Sequence, residues 1–147
     1  MSIIVFLHYK IRTALKKIEH IGIAVKDIEA SNSLFSLLFE KPHYKTETVE
    51  SEGVMTSFFE CGPNKIELLQ ATNDDSPIAK FIEKKGEGIH HIAFAVDDIE
   101  VEIERLTSEG FTMIHKTPKK GADNKLIAFL HPKSTNGVLI ELCQDIR

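Results

Sequence analysis

The chain has no tryptophan and only two cysteines, Cys61 and Cys143. Two thiols cannot staple a small secreted scaffold, so a disulfide framework is excluded and a reduced state is the default. Long hydrophobic runs are also missing. None approaches the roughly 20 residues that span a bilayer. The longest run near the start, Ile3 to Leu7, is too short for a signal-peptide core, and no basic residue precedes it. Nor is there an excess of positive charge. The 18 basic and 22 acidic side chains leave a net charge of −4, which argues against a generic nucleic-acid binder. The first 18 residues run against that balance, with Lys10, Arg12, Lys16 and Lys17 and no acid. That is one feature of a mitochondrial transit peptide, but the stretch is short and poor in serine. The expected compartment is the cytoplasm, with the mitochondrial matrix as the alternative.

What is present is a repeat. Residues 18–29 read IEHIGIAVKDIE and residues 89–100 read IHHIAFAVDDIE, agreeing at 8 of 12 positions at an offset of 71. Residues 66–70 (IELLQ) and 140–144 (IELCQ) agree at 4 of 5 positions at an offset of 74. Phe58-Phe59 and Phe129-Leu130 still match at 71, so the extra residues lie in the turns that follow, CGPNK and HPKSTNG. Each copy predicts a strand (18–25; 89–96), then a helix opened by Asp27 or Asp98, then three short strands. These fall at about 44–50, 54–60 and 65–70 in the first copy, and at about 111–117, 125–131 and 138–144 in the second. The fold class is therefore α+β, built from tandem βαβββ modules at 18–70 and 89–144. A helical linker at 71–88 joins them, opened by Ser76-Pro77 and closed near Gly86. Residues 1–17 have no partner in the second half and no assigned role.

Strand alternation puts His20, Gly22 and Ala24 on one face and His91, Ala93 and Ala95 on the equivalent face of the copy. The branched residues opposite are expected to pack on helices. His90 aligns with Glu19 on that helix-packed face, which leaves His91 as the ligand candidate. Glu67 and Glu141 sit inside apolar strands, where a carboxylate is costly to bury unless paired or bound to metal. Alone, each of these residues reads as an ordinary hydrogen-bonded histidine or solvated glutamate. Their joint recurrence favours one shared site. If the modules pair about a pseudo-two-fold axis, His20, Glu67, His91 and Glu141 form an N2O2 set suited to one divalent ion such as Co, Zn, Ni, Mn or Fe. His8, His43, His115 and His131 have no counterparts and take structural readings. Gln70 and Gln144 recur but alternate to the opposite face, which also favours a structural role.

This duplication with its His/Glu pattern resembles the vicinal oxygen chelate superfamily over residues 18–144, in which paired modules curl into a cleft around one metal. Within it, IEHIGIAVKDIE (18–29), SPIAKFIEKKGEGIHHIAFAVDDIE (76–100) and IAFLHPKSTNGVLIELCQ (127–144) resemble the methylmalonyl-CoA epimerases. The resemblance places metal ligands at His20, Glu67, His91 and Glu141, although some members carry Gln where this chain has Glu67. It also implies a CoA thioester substrate and a homodimer. Epimerising a 2-methylmalonyl thioester requires loss of a proton flanked by a thioester and a carboxylate. A divalent ion chelated by both groups stabilises the resulting enolate as a Lewis acid. Glu141 is the candidate base, the alternative being a ligand only. One departure concerns the second face: some members carry Glu two residues after the Gly-Val that stands here at Gly53-Val54, and this chain has Thr56. Glu50 and Glu52 nearby read as solvated loop carboxylates.

Segment 116–133 carries Lys116, Lys119, Lys120, Lys125 and Lys133 against one acid, Asp123. Such a patch can attract CoA phosphates despite the net charge. Lys119, Lys133 and Ser134 are the candidate substrate contacts, against a solvated lysine-rich loop as the alternative. Lactoylglutathione lyase is similar in fold and metal set, but the SPIAKF, GEGIHH and HPKS stretches favour the epimerases. A non-enzymatic ligand-sequestering module of the same fold is a further alternative, against which the complete ligand set argues. Glu67 and the short chain argue against a ring-cleaving dioxygenase.

Overall fold

The computed structural model describes residues 15–147, so the run at 3–7, His8 and most of the 1–17 extension lie outside the described residues. The first β-branched run forms β1 (Lys17–Ala24). Asp27 then opens α1 (Ile28–Phe39), its carboxylate accepting from the N–H groups of Glu29 and Ala30. Three strands follow: β2 (Lys45–Val49), β3 (Val54–Cys61) and β4 (Asn64–Ala71). Ser76 caps α2 (Pro77–Lys85), with Pro77 in its first turn and Gly86 at its end. The second module repeats the order with β5 (Gly88–Ala95), α3 (Ile99–Ser108) capped by Asp98, β6 (Lys119–Lys120), β7 (Lys125–Leu130) and β8 (Ile140–Asp145). No helix among the described residues is long and apolar enough to cross a membrane.

The repeated glutamines are second caps. The Gln70 Oε1 accepts the Ile28 N–H at 2.6 Å, and the Gln144 Oε1 accepts the Ile99 N–H at 2.8 Å. Each module thus uses the end of its last strand to satisfy an orphan donor in the first turn of its own helix.

The strands form one curled half-barrel sheet in the order β2-β3-β4-β1-β5-β8-β7-β6. The β1–β5 pair at its centre is antiparallel, and each of these strands has a parallel neighbour, β4 or β8. The helix-side core repeats with the sequence. Val25, Ile28, Phe59 and Leu68 cluster in the first module, and Val96, Ile99, Leu130 and Leu142 cluster in the second.

Two expectations change. The strand expected at 111–117 is reduced to a single bridge between Met113 and Leu130, and pairing resumes only where Lys119 meets Ile127. Pro118 lacks an N–H and restricts the residue before it, so the intervening residues loop out. Strict alternation also fails at the centre. Ile18 faces Phe94 and His20 faces Ala93, which leaves Glu19 as an extra residue in β1. Gly22 faces His91 and Ile23 faces Ile89, which leaves His90 as an extra residue in β5. These are β-bulges at equivalent positions of the two copies, and they turn Glu19 and His90 away from the helix-packed face predicted for them.

Leu68 and Leu142 are repeat counterparts and almost fully buried. Leu68→Ala and Leu142→Ala are each expected to cost about 2–5 kcal/mol. Because both lie in one continuous sheet, urea unfolding followed by circular dichroism should show a single transition shifted by either change.

Candidate metal centre

The four innermost strands each carry one of the candidate ligands. In the parallel pairs, Glu67 lies opposite Gly22 and Glu141 opposite Ala93. His20, Glu67, His91 and Glu141 are each only 5% exposed. The Nε2 atoms of His20 and His91 are 3.0 Å apart. A Glu141 Oε2 lies 2.9 Å from the His91 Nε2 and 3.2 Å from the His20 Nε2. Glu67 approaches the other side of His20, its Oε2 3.0 Å from Nδ1. Glu19, which alternation had placed elsewhere, also accepts from this Nδ1. The result is two overlapping buried triads that share His20: His20/His91/Glu141 and Glu19/His20/Glu67.

Small neighbours are a geometric requirement here. A Cβ on Gly22 would lie 2.3 Å from Cε1 and 2.7 Å from Nδ1 of His91, so the ring occupies the space that any other residue would fill.

The electrostatics follow from burying three carboxylates around two imidazoles. Burial opposes charging His20, but Glu67, Glu141 and Glu19 outweigh it and push its pKa up to about 10. Burial raises Glu67 to about 7, in spite of His20. Burial also works to raise Glu141, but His91 and His20 hold it well below the usual carboxylate range. Glu19, likewise buried, is brought to about 2 by His20 and Lys65. The carboxylates thus call for a cation at the point where two imidazole nitrogens and a carboxylate oxygen converge. The donor chemistry matches, and the buried His/Glu triads are consistent with a divalent metal site.

The four residues line one cavity of about 260 Å³, whose other walls are largely apolar and include Val54, Leu69, Ile127 and Phe129. Thr56 also lines it and is buried, presenting a hydroxyl. Glu52, read from sequence as a solvated loop carboxylate, lines the cavity as well, in an ion pair with Lys119 at 2.7 Å. Glu50 remains exposed. Lys119 is the one lysine of segment 116–133 in the cavity wall. Lys125 instead pairs with Asp145. Lys133 and Ser134 lie in the turn 132–134 outside the cavity wall, where the Ser134 hydroxyl donates to the His131 carbonyl.

His115, given a structural reading from sequence, lines the cavity with its ring against Phe129. Burial and Lys119 lower its pKa. His90 lines it too, 3.0 Å from the His91 Nδ1 through its own Nδ1, and burial together with His91 lowers its pKa to about 4. Glu19 and His90 could have been suspected from their equivalence in the repeat. Nothing in the local sequence marks Glu52 or His115.

Residues 19–129 match the glyoxalase/bleomycin resistance protein/dioxygenase superfamily. The chain is 39% identical to the mitochondrial methylmalonyl-CoA epimerase of Dictyostelium discoideum, over 89% of this chain and 80% of that protein. It is also 39% identical to the uncharacterized protein YqjC of Bacillus subtilis, over 88% of this chain and 93% of that one. Among solved structures, a methylmalonyl-CoA epimerase in complex with methylmalonyl-CoA and NH4+ superposes with a TM-score of 0.85 at 33% identity. It covers 89% of this chain and 95% of that one.

Gly22→Ala is expected to displace the His91 ring and weaken zinc binding by roughly 10–100-fold, with the far-ultraviolet dichroism unchanged. Proton linkage gives a second expectation. An ion can bind His20 through Nε2 only after the proton there has left. Zinc binding at neutral pH should therefore release a proton, and affinity should climb with pH until His20 titrates at about 10. Calorimetry in buffers of different ionisation enthalpy measures that release.

Proposed function

The chain belongs to the glyoxalase/bleomycin resistance protein/dioxygenase superfamily, and we propose that within it the protein epimerises 2-methylmalonyl-CoA. The observation that carries the proposal is the convergence of His20, His91 and Glu141 on one point of a mostly apolar cavity, in a chain similar over most of its length to methylmalonyl-CoA epimerases. That similarity supports an epimerase-like enzyme. The identity of the acyl group belongs to the proposal.

His20, Glu67, His91 and Glu141 would hold one divalent ion, among Co, Zn, Ni and Mn. When bound, the ion supplies Lewis-acid stabilisation of charge developing on the thioester and carboxylate oxygens of the substrate. The remaining work falls to the side chains. The apolar wall formed by Val54, Leu69, Ile127 and Phe129 excludes water from the acidified carbon and accepts its methyl group. Glu141 is kept ionised by the two imidazoles beside it, the form a base of the C2 proton requires, while the same contacts lower its proton affinity. Returning a proton on the other face calls for a second group, and Thr56 cannot act as a base at neutral pH. Among the described residues, the titratable side chains in the wall outside the ligand set are Glu52, His90, His115 and Lys119. Lys119 is also the strongest of the candidate substrate contacts by position. Lys133 and Ser134 would serve only a part of the CoA thioester that extends beyond the cavity. The cytoplasm remains the proposed compartment.

The test is exchange of the C2 proton of methylmalonyl-CoA in D2O, followed by nuclear magnetic resonance, with chelator and then with added Co. Exchange should depend on the ion. Absence of exchange together with turnover of the glutathione hemithioacetal would replace this reading with a lactoylglutathione lyase. At saturating ion, Glu141→Gln should slow exchange by roughly 10²–10⁴-fold, whereas Thr56→Ala should change it only a few-fold. Equal effects would remove Glu141 from the base role.

A further inference from the structure

We infer that the residue preceding each ligand histidine, Glu19 in the first module and His90 in the second, is a positioning residue that holds the proton of that histidine on Nδ1 and leaves Nε2 for the ion. The inference rests on the metal-site reading above and adds two residues to it.

The register supplies the first argument. Each of the two central strands has one extra residue, and in both copies it is the residue just before the histidine. In a regular strand that side chain would point to the opposite face. The bulge allows neighbouring side chains to share a face, and the contacts show that they do. Glu19 reaches the His20 Nδ1, and the His90 Nδ1 lies 3.0 Å from the His91 Nδ1.

Donor–acceptor chemistry points the same way. A carboxylate only accepts, so the Nδ1 of His20 must be the donor toward Glu19. Glu67 faces the same nitrogen at 3.0 Å. The Nε2 of His20 faces the His91 Nε2 and Glu141, so it is the nitrogen left to give up its proton to an ion. For His91 to offer Nε2 in the same way, its Nδ1 must carry the proton and the His90 Nδ1 must accept it. Both partners are themselves held. Glu19 is gripped by Lys65, and the His90 ring packs edge-on against Phe81 of α2, with centroids 5.0 Å apart. Outer partners of this kind fix the tautomer and ring orientation of metal-bound histidines. Here one module uses a carboxylate and the other an imidazole.

The experiment uses the full chain loaded with zinc. 15N spectra of the imidazoles should show Nδ1–H and zinc-bound Nε2 for both His20 and His91. By calorimetry, Glu19→Leu and His90→Phe should each weaken zinc binding by roughly 10–100-fold. Glu19→Gln and His90→Asn, which restore an acceptor oxygen, should recover most of the loss. Zinc on Nδ1 of either histidine in the unaltered protein would overturn the inference, as would Glu19→Leu and His90→Phe proteins that bind zinc as tightly as the parent. If either variant fails to fold, the spectrum of the unaltered protein still decides. A parent chain that binds neither zinc nor cobalt would remove the metal-site reading itself, an outcome distinct from the other two.

Discussion

The antiparallel pairing of β1 with β5 governs the centre of this molecule. Each module carries half of a donor set, and neither half can enclose an ion. Pairing the two first strands brings the imidazole Nε2 atoms to 3.0 Å and sets Gly22 under the His91 ring. The parallel neighbours β4 and β8 then deliver Glu67 and Glu141 from either side. The bulges at Glu19 and His90 belong to the same constraint. A bulge bends its strand and increases the local twist, so the device that turns residues 19 and 90 toward the histidines also favours the curl of the sheet.

A charged centre has to be neutralised, and the way this is done ties distant parts of the sheet together. Burying even a paired ion costs several kcal/mol, in order of magnitude, unless further hydrogen bonds compensate. Glu19 is met by Lys65, which also bonds Asp123 at 2.5 Å, while Lys45 bonds the other oxygen of Asp123 at 2.6 Å. Lys45 and Lys65 belong to β2 and β4 of the first module. Asp123 lies in the turn between β6 and β7 of the second. That turn needs two residues in the left-handed region, which Asp123 and Asn124 adopt at φ 59° and 53°. An aspartate at this place therefore makes a tight hairpin and a carboxylate for two lysines at once. The chain of charges runs from the His20 ring to the far edges of the half-barrel. A second link, Lys119 to Glu52, crosses between the modules at the cavity wall.

The architecture was legible in the sequence because duplication checks itself. Asp27 and Asp98, Ile28 and Ile99, and Gln70 and Gln144 do the same work in both copies, so a weak local signal in one is confirmed by the other. What could not be read were departures from regularity. Period-two alternation assumes an unbroken ladder. It therefore sent His90 and Glu19 to the wrong face, although it chose the right histidine of the pair to meet His20 and Glu141. The segment 111–117 has strand-like composition, yet its pairing is interrupted before Pro118, and the loop so formed carries His115 to the cavity. Glu52 was misread for a similar reason. It precedes Gly53, whose φ of 62° turns the chain into β3, and that turn aims a loop carboxylate inward.

The two glutamates of the repeat show how duplicated positions can come to differ in chemistry. Glu67 and Glu141 occupy equivalent strands and are equally buried, so desolvation acts on both alike. Glu141 has an oxygen near the Nε2 of both histidines, whereas Glu67 meets His20 alone and shares its Nδ1 with Glu19. Two imidazoles hold Glu141 far down, and Glu67 drifts up to about 7. The imbalance comes chiefly from the imidazoles, two beside Glu141 and one beside Glu67, and Glu19, the carboxylate that the bulge in β1 adds, raises Glu67 least of the groups around it. The bulge in β5 adds a neutral imidazole at the matching place. A symmetric pair of bulges filled by two different residues, a carboxylate and an imidazole, thus leaves a two-fold scaffold electrostatically one-sided.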